Sequence, residues 1–430
     1  MKKTLALLLA VVMVFSLAAC SKDKDGADDG KKTDATQQTA DTGKTDTAAA
    51  GDFKVGVVLV GDENEGYTYA HIDGVRKAAK TCGIKEENIV WFYTIGENET
   101  CYDKCIDCVQ QGCKLVITNS YGHQTYCEQA ARENPDVQFV AMTGDGALKS
   151  GLKNFSNAFN HTYESRYVSG IVAGLKVKEL LDGGKLTDKN YDANGNIKIG
   201  YVGAFPYAEV VSGYTGFYLG IRSVVPNVAM EVSYTNSWFD ITAEGTTAEM
   251  LIADGCVIIG QHADSTGAPA ACEKANKAGT VVYSVGYNVD MLAVAPTAAL
   301  TSSTNDWSVY YTYAFKTAMA GQDIATDWSK GYDEGAVAIT ELGASCAAGT
   351  ADAVAKAEAD IKAGKLHVFD INTFTVGGQK IESTFCFDSD GDFAYDSIEA
   401  IKDGYYDESA YISAPSFSLR IDGITELNNN

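Results

Sequence analysis

The strongest constraint on this fold is a rhythm: short continuous apolar runs alternate with helix-length segments, and the series occurs twice. The first run, Lys54-Val55-Gly56-Val57-Val58-Leu59-Val60, is bounded by Gly61, as expected of a strand buried on both faces. Helical patterning over Tyr67–Cys82, stopped at Gly83, leads to strands at Ile89–Tyr93, Leu115–Ile117 and Gln138–Ala141, with helices at Thr100–Gln111 and Gln124–Arg132 between them. After a long connecting helix, Tyr163–Leu181, the pattern restarts. Strands at Ile197–Val202, Val228–Tyr234, Cys256–Ile259 and Thr280–Ser284 alternate with helices at Gly213–Val225, Thr242–Asp254 and Ala268–Ala278. Such spacing predicts βαβ units and an α/β protein with two parallel sheets flanked by helices, a ligand cleft lying between the lobes. The expected division is a first lobe over 53–160, completed by about 286–330, and a second over 161–285, completed by about 331–430. Within that last part the sequence reads as a helix at Asp352–Ala363, hairpin-like pieces and a tyrosine-rich end.

The N-terminus carries a different signal. Met1-Lys2-Lys3, an apolar stretch from Leu5 to Val14 and Leu17-Ala18-Ala19-Cys20 have the layout of an export signal. The final four residues resemble a bacterial lipobox, which predicts acylation of Cys20 and anchoring to a membrane surface. Residues 21–52, rich in Lys, Asp, Thr, Gly and Gln, are expected to form a disordered tether. With 57 acidic against 34 basic side chains and a net charge of −23, the chain lacks the basic surface that nucleic acid requires. Beyond residue 20 there is no run of 18 or more apolar residues to span a bilayer.

Six segments then fall into a familiar order. They are Gly61-Asp62-Glu63-Asn64-Glu65-Gly66-Tyr67 and its continuation to Gly74, Ile199–Pro206, Asn236–Asp240, Gln261–Ser265, Gly286–Met291 and Leu300–Ser303. Behind a lipobox and a linker, the set resembles the basic membrane protein family of lipoproteins, solute receptors of ABC-type nucleoside importers. The likeness is good over residues 53–345 and weak beyond. It implies a two-lobed type I periplasmic-binding-protein fold that takes a purine nucleoside or nucleobase outside the cytoplasm and passes it to a membrane permease. It also implies that the base lies between aromatic rings, Tyr67 from the first lobe and Phe205 from the second, with Tyr121 and Trp238 the next candidates at strand ends. Stacking on a ring contributes about 1–3 kcal/mol per base and selects for flatness. Asp264, Asp290, Asn288 and Asp240 follow strands of the second set, where they are placed to read the base edge or ribose; for Asp240 the competing role is a helix N-cap.

The sequence departs from the family at one point. Where many members have lysine after Thr-Ser-x-x, Thr301-Ser302-Ser303-Thr304 runs into Asn305, with Trp307 close behind. Loss of the ammonium donor puts a bare nucleobase on a par with a nucleoside. A flavin or sugar ligand, a sensory role, and a nucleoside hydrolase using Asp264 or Asp240 remain the alternatives. No nucleophile elbow, phosphate loop or zinc-protease motif is present, so no enzyme activity and no cofactor is expected.

Ten cysteines remain beside Cys20, six of them from Cys82 to Cys127, and Cys101, Cys105 and Cys108 share one helical face with Cys113 just beyond. Only Cys105-x-x-Cys108 has metal-ligand spacing, so the cysteines are read as small apolar side chains under a helix. Asp388-Ser389-Asp390-Gly391-Asp392 resembles part of a calcium loop but lacks the spacing for its glutamate, and is read as an acidic turn.

Overall fold

The computed structural model describes residues 52–389 and 394–429. The export signal, Cys20, the tether up to residue 51 and Asp390-Gly391-Asp392 lie outside them. No helix among the described residues is long and apolar enough to cross a membrane.

The first repeat forms β1 (Val55–Val58), β2 (Ile89–Phe92), β3 (Leu115–Thr118), β4 (Gln138–Met142) and β5 (Phe155–Asn160). Between them lie α1 (Gly66–Cys82), α2 (Glu99–Gln110), α3 (Gln124–Glu133) and the short α4 (Ala147–Ser150). A long helix, α5 (Thr162–Asp182), leads to β6 (Ile197–Gly203), β7 (Val228–Tyr234), β8 (Ile258–Gln261), β9 (Tyr283–Tyr287) and β10 (Ala299–Asn305), separated in part by α6 (Ala208–Val224), α7 (Ile241–Asp254) and α8 (Gly267–Lys277). The chain then returns through α9 (Trp307–Met319), β11 (Asp327–Lys330), β12 (Val337–Ile339) and α10 (Thr350–Lys362).

Strand order is β11-β5-β4-β3-β1-β2 in one sheet and β12-β10-β9-β8-β6-β7 in the other, where a last strand, Ile424–Glu426, adds beside β7. All pairings in these sheets are parallel except β12 against β10. In each sheet the chain starts in the interior, at β1 or β6, and builds outward on both sides. The crevice at the carboxyl ends beside these two strands is where open α/β sheets bind ligands.

Three crossovers join the lobes, and buried side chains tie them together. Asn160 donates to Asn305 Oδ1 (3.2 Å) and to the Ala336 carbonyl (2.9 Å), and the Thr162 hydroxyl donates to the same Asn305 oxygen (2.9 Å). The structure corrects the expected boundary here: β9 and β10 belong to the second sheet, so the first lobe is completed by 307–330 and not from residue 286. The reason is that β10 reads Ala-Leu-Thr-Ser-Ser-Thr-Asn, too polar to register as a strand, yet three of its hydroxyls are paired: Ser303 with Ser165 (2.7 Å), Thr301 with the Thr340 carbonyl (2.9 Å) and Thr304 with the Asn288 carbonyl (2.6 Å).

Glycines set the contact between α5 and α6. A methyl group at Gly220 would overlap the Tyr167 carbonyl, and one at Gly170 would overlap the carbonyl of Phe217. The cysteines of α2 (Cys101, Cys105 and Cys108), with Cys113 and Cys127, pack fully buried among Val58, Val116 and Phe139 as small apolar side chains.

The C-terminal segment is held mainly by the second lobe, where Phe369, Phe374, Tyr406 and Phe417 join its core. It also reaches the first lobe: Ser413 donates from its amide and hydroxyl to Asp327 (2.5 and 2.6 Å), and Lys149 lies over the Phe387 ring at 4.7 Å. Glu408 is buried within this segment near Ser212, and burial outweighs the local donors to push its pKa up to about 8. The folded state therefore holds this proton more tightly than the unfolded chain, and stability is lost as pH rises from the usual glutamate range towards about 8. Glu408→Gln is expected to melt with the wild type near pH 4 and above it at ~pH 9, with a gap of a few kcal/mol at most. Parallel melting curves across that range would contradict the assignment.

Candidate ligand-binding cleft

The loops at the carboxyl ends of the two sheets enclose about 580 Å³ of unfilled space, counting its open mouth. Each central strand contributes to the wall. From the first lobe, Val60, Glu65 and Tyr67 follow β1, Glu97 follows β2, Ser120 and Tyr121 follow β3, and Thr143 follows β4. From the second, Glu209 follows β6, Trp238 follows β7, His262 and Asp264 follow β8, and Tyr287 ends β9. The lobes touch at the floor: a Cβ on Gly66 would stand 3.3 Å from the Asp264 carbonyl oxygen and from a methyl of Val289. This is the closed arrangement of a hinged pair.

Four of the sequence candidates line this space: Tyr67, Tyr121, Trp238 and Asp264. Tyr67 is fixed by its hydroxyl, which donates to the Asn119 carbonyl, and by His71 edge-on to its ring at 4.5 Å. Tyr121 stands at the rim, 48% exposed, with its hydroxyl 3.2 Å from Asp145. Phe205 is not among the residues that line the space; half-buried, it packs edge-on to Trp238 at 5.2 Å and is stacked on Tyr207 at 5.1 Å. Asp240 is the N-cap of α7, accepting from the amides of Thr242 and Ala243. Asp290 is exposed and caps the Leu292 amide (2.7 Å). Asn288 is buried one layer back, in a left-handed conformation (φ 62°), and donates to Asp264 at 2.6 Å. Asn305 is a hinge residue. Trp307 is buried under the first lobe, stacked on His71 at 4.5 Å, so it supports Tyr67 from beneath.

Five ionisable wall residues escaped the sequence reading, Glu65, Glu97, Glu209, His262 and Tyr287, as did the hydroxyls of Ser120 and Thr143. Glu65, His262 and Tyr287 lie inside the quoted segments and within a few residues of strand ends, which was the available signal. Glu97 and Glu209 had none.

Comparison with known proteins decides the family. The model of the ABC transporter substrate-binding protein PnrA-like family matches residues 53–372. The chain belongs to this family. Its members are substrate-binding components of ABC transporters, which work outside the cytoplasm. A purine-binding protein of Brucella abortus is 30% identical over 322 residues, 74% of this chain and 83% of that one. A putative ABC transporter glucose-binding protein of Haloferax volcanii is 28% identical over 313 residues, 72% of each chain. Among solved structures, a solute-binding protein of an Aeropyrum pernix ABC transporter is similar with a TM-score of 0.61 at 16% identity, over 74% of this chain and 93% of its own, which speaks to the two-lobed fold alone.

The electrostatics of this PnrA-like cleft are acidic but restrained. Burial, with Glu65, Glu244 and Glu209 nearby, pushes the Asp264 carboxyl well above the usual range, against the hydrogen bond from Asn288. Burial also raises Glu65, against a hydrogen bond from Thr68. Burial and the Arg166 guanidinium hold the His262 pKa down to about 4, leaving a neutral imidazole. No lysine or arginine lines the space among the described residues. Such a wall suits a flat, uncharged molecule with several N–H or O–H donors, and it repels phosphate.

Proposed function

We propose that this PnrA-like protein captures a purine, free or as its nucleoside, between Tyr67 and Trp238, and delivers it to the permease of an ABC importer while anchored to the cell membrane through acylated Cys20. The observation that carries this reading is the pairing of aromatic rings from opposite lobes with carboxyl acceptors and no basic side chain. Stacking holds the base, and Asp264, Glu65 and Glu209 accept from ring N–H, exocyclic amine or ribose hydroxyls. Hinge closure excludes water and creates the joint surface that a permease recognises. The likeness to the purine-binding protein of Brucella supports a purine; that to the putative glucose-binding protein of Haloferax supports a sugar as the second reading.

Thermal unfolding of the chain from Gly51 onward, stripped of carried-over ligand, separates these readings. The panel holds adenine, guanine, adenosine, guanosine, inosine, cytidine, riboflavin, ribose, glucose and guanosine monophosphate. A ligand at about 100 times its dissociation constant adds about 2.7 kcal/mol, a readily visible shift. Purine bases or nucleosides are expected to raise the midpoint and the monophosphate to leave it unmoved, because its charge meets four carboxyl groups and no lysine or arginine in the lining. A shift with glucose or riboflavin alone would assign the cleft to that ligand instead.

A further inference from the structure

Arg166 is an unusual residue for its position. It lies on α5, four residues after the hinge Thr162, and is 2% exposed. Among the described residues no carboxylate pairs with it: its Nη1 donates to the Gln261 carbonyl (2.6 Å), and Nε and Nη2 have no hydrogen-bond partner there. Its guanidinium lies over the ring of Tyr287, 3.6 Å from the centroid. Gln261, in turn, donates to the carbonyls of Ala263 and Ser265 (2.7 and 2.9 Å), which shapes the loop presenting His262 and Asp264. A buried charge without a counter-ion is costly, so a structural role alone gives little reason for an arginine here.

His262 supplies the other half. Its Nε2 is 3.2 Å from Glu209 Oε1, while its Nδ1 has no partner. That nitrogen and the Arg166 Nε face the same spot: a Cβ built on Gly213 would be 2.9 Å from one and 3.5 Å from the other. We propose that Arg166 is the positioning residue of the second lobe's wall: stacked on Tyr287, bonded to Gln261 and facing His262, it fixes where these side chains meet the ligand and which nitrogen of His262 carries hydrogen. With Nε2–H donating to Glu209, Nδ1 offers a bare lone pair to the cationic side. A proton on Nδ1 would face the guanidinium and be repelled. The other groups around the imidazole are Glu209 from α6, Tyr287 from β9 (rings 5.0 Å apart), Trp238 (6.2 Å) and Asp264 on its own loop. Burial is the first cause that keeps the ring neutral; of the groups around it, Glu209 favours the charged form and the guanidinium opposes it. His262 then presents the same Nε2–H and bare Nδ1 at any pH above its own titration.

The role of Arg166 as part of the ligand site rests on the purine reading, but its effect on His262 can be measured without any ligand. Long-range ¹H–¹⁵N spectra of the histidine side chains, with His262 assigned through His262→Gln, are recorded from about pH 4 to 8 for wild type, Arg166→Met and Arg166→Lys. In the wild type His262 is expected to stay neutral with hydrogen on Nε2 until the pH falls to about 4, where it begins to charge. In Arg166→Met its titration is expected roughly one pH unit or more higher, and Arg166→Lys restores the low value. Guanosine affinity is expected to fall about tenfold in Arg166→Met, the loss growing as pH drops. An unchanged His262 titration and tautomer in Arg166→Met overturns the proposal, whatever happens to affinity. If the wild type binds no guanosine, the purine reading fails while the titration still decides this one. Should Arg166→Met not fold, Arg166→Gln, neutral and hydrogen-bonding, takes its place with the same expected result.

Discussion

Gly220→Val is expected to leave little folded protein. Its Cβ would overlap the Tyr167 carbonyl oxygen and stand 3.0 Å from Gly170 Cα. Both obstacles are backbone, so neither can swing aside. Overpacking against side chains typically costs 1–3 kcal/mol; separating two long helices that pack backbone to backbone is expected to exceed about 4 kcal/mol. The contact matters because α5 begins at the hinge and carries the second-lobe core against α6. Gly245→Ala in α7 is the control: its added methyl meets nothing nearer than 3.6 Å, and helix propensity favours alanine by about 0.8–1 kcal/mol. Urea unfolding of the pair distinguishes a packing constraint from a general dislike of substitution. A Gly220→Val protein with a near-native midpoint would contradict the helix contact.

The second large effect concerns binding. Removing the ring of Tyr67 or of Trp238 is expected to weaken purine affinity by about 1–3 kcal/mol each, roughly tenfold to a hundredfold. Together they should leave no measurable binding. Tyr121→Ala should cost less, since its ring is half exposed at the rim. Phe205→Ala and Trp307→Ala test support from outside the lining. Trp307 is 1% exposed and stacked on His71, so its loss should lower folding stability by about 3–5 kcal/mol, with affinity falling only through a displaced Tyr67. Calorimetric titration alongside melting curves separates the two classes: wall residues change affinity with little change in midpoint, and supporting residues change the midpoint first.

The fold was legible where apolar runs were continuous. Val55–Val58, Leu115–Thr118 and Ile197–Gly203 are buried parallel strands, and the restart after α5 disclosed the second sheet. It was illegible where polar residues are buried with local partners. The strand Phe155–Asn160 reads Phe-Ser-Asn-Ala-Phe-Asn and is buried throughout; Asn157 serves the Ala141 carbonyl (2.9 Å) and the Ala147 amide (2.6 Å), so its amide has no need of water. The same physics hid β10 and shifted the lobe boundary. In the cleft, residues on strand-end motifs were found in part, whereas Phe205 packs beside Trp238 outside the lining and Trp307 lies in the first-lobe core. An aromatic residue at a strand end has the same sequence signature whether it touches the ligand or braces the ring that does. Asp240 and Asp290 were read as ligand contacts because capping and binding both call for a carboxylate after a strand. Glu209 and Arg166 sit inside helices with nothing in the sequence to mark them, and only tertiary packing brings Glu209 to the wall and Arg166 against the Tyr287 ring behind it.

Titration calorimetry of ligand-stripped protein, in the wild type and in the Tyr67→Ala, Trp238→Ala double variant, tests the central claim most directly. Guanine, adenine, guanosine and adenosine are the titrants. The account predicts saturable one-to-one binding of at least one purine to the wild type, lost in the double variant while its melting midpoint stays close to the wild-type value. Purine binding that survives removal of both rings, or no purine binding alongside binding of glucose, would contradict it.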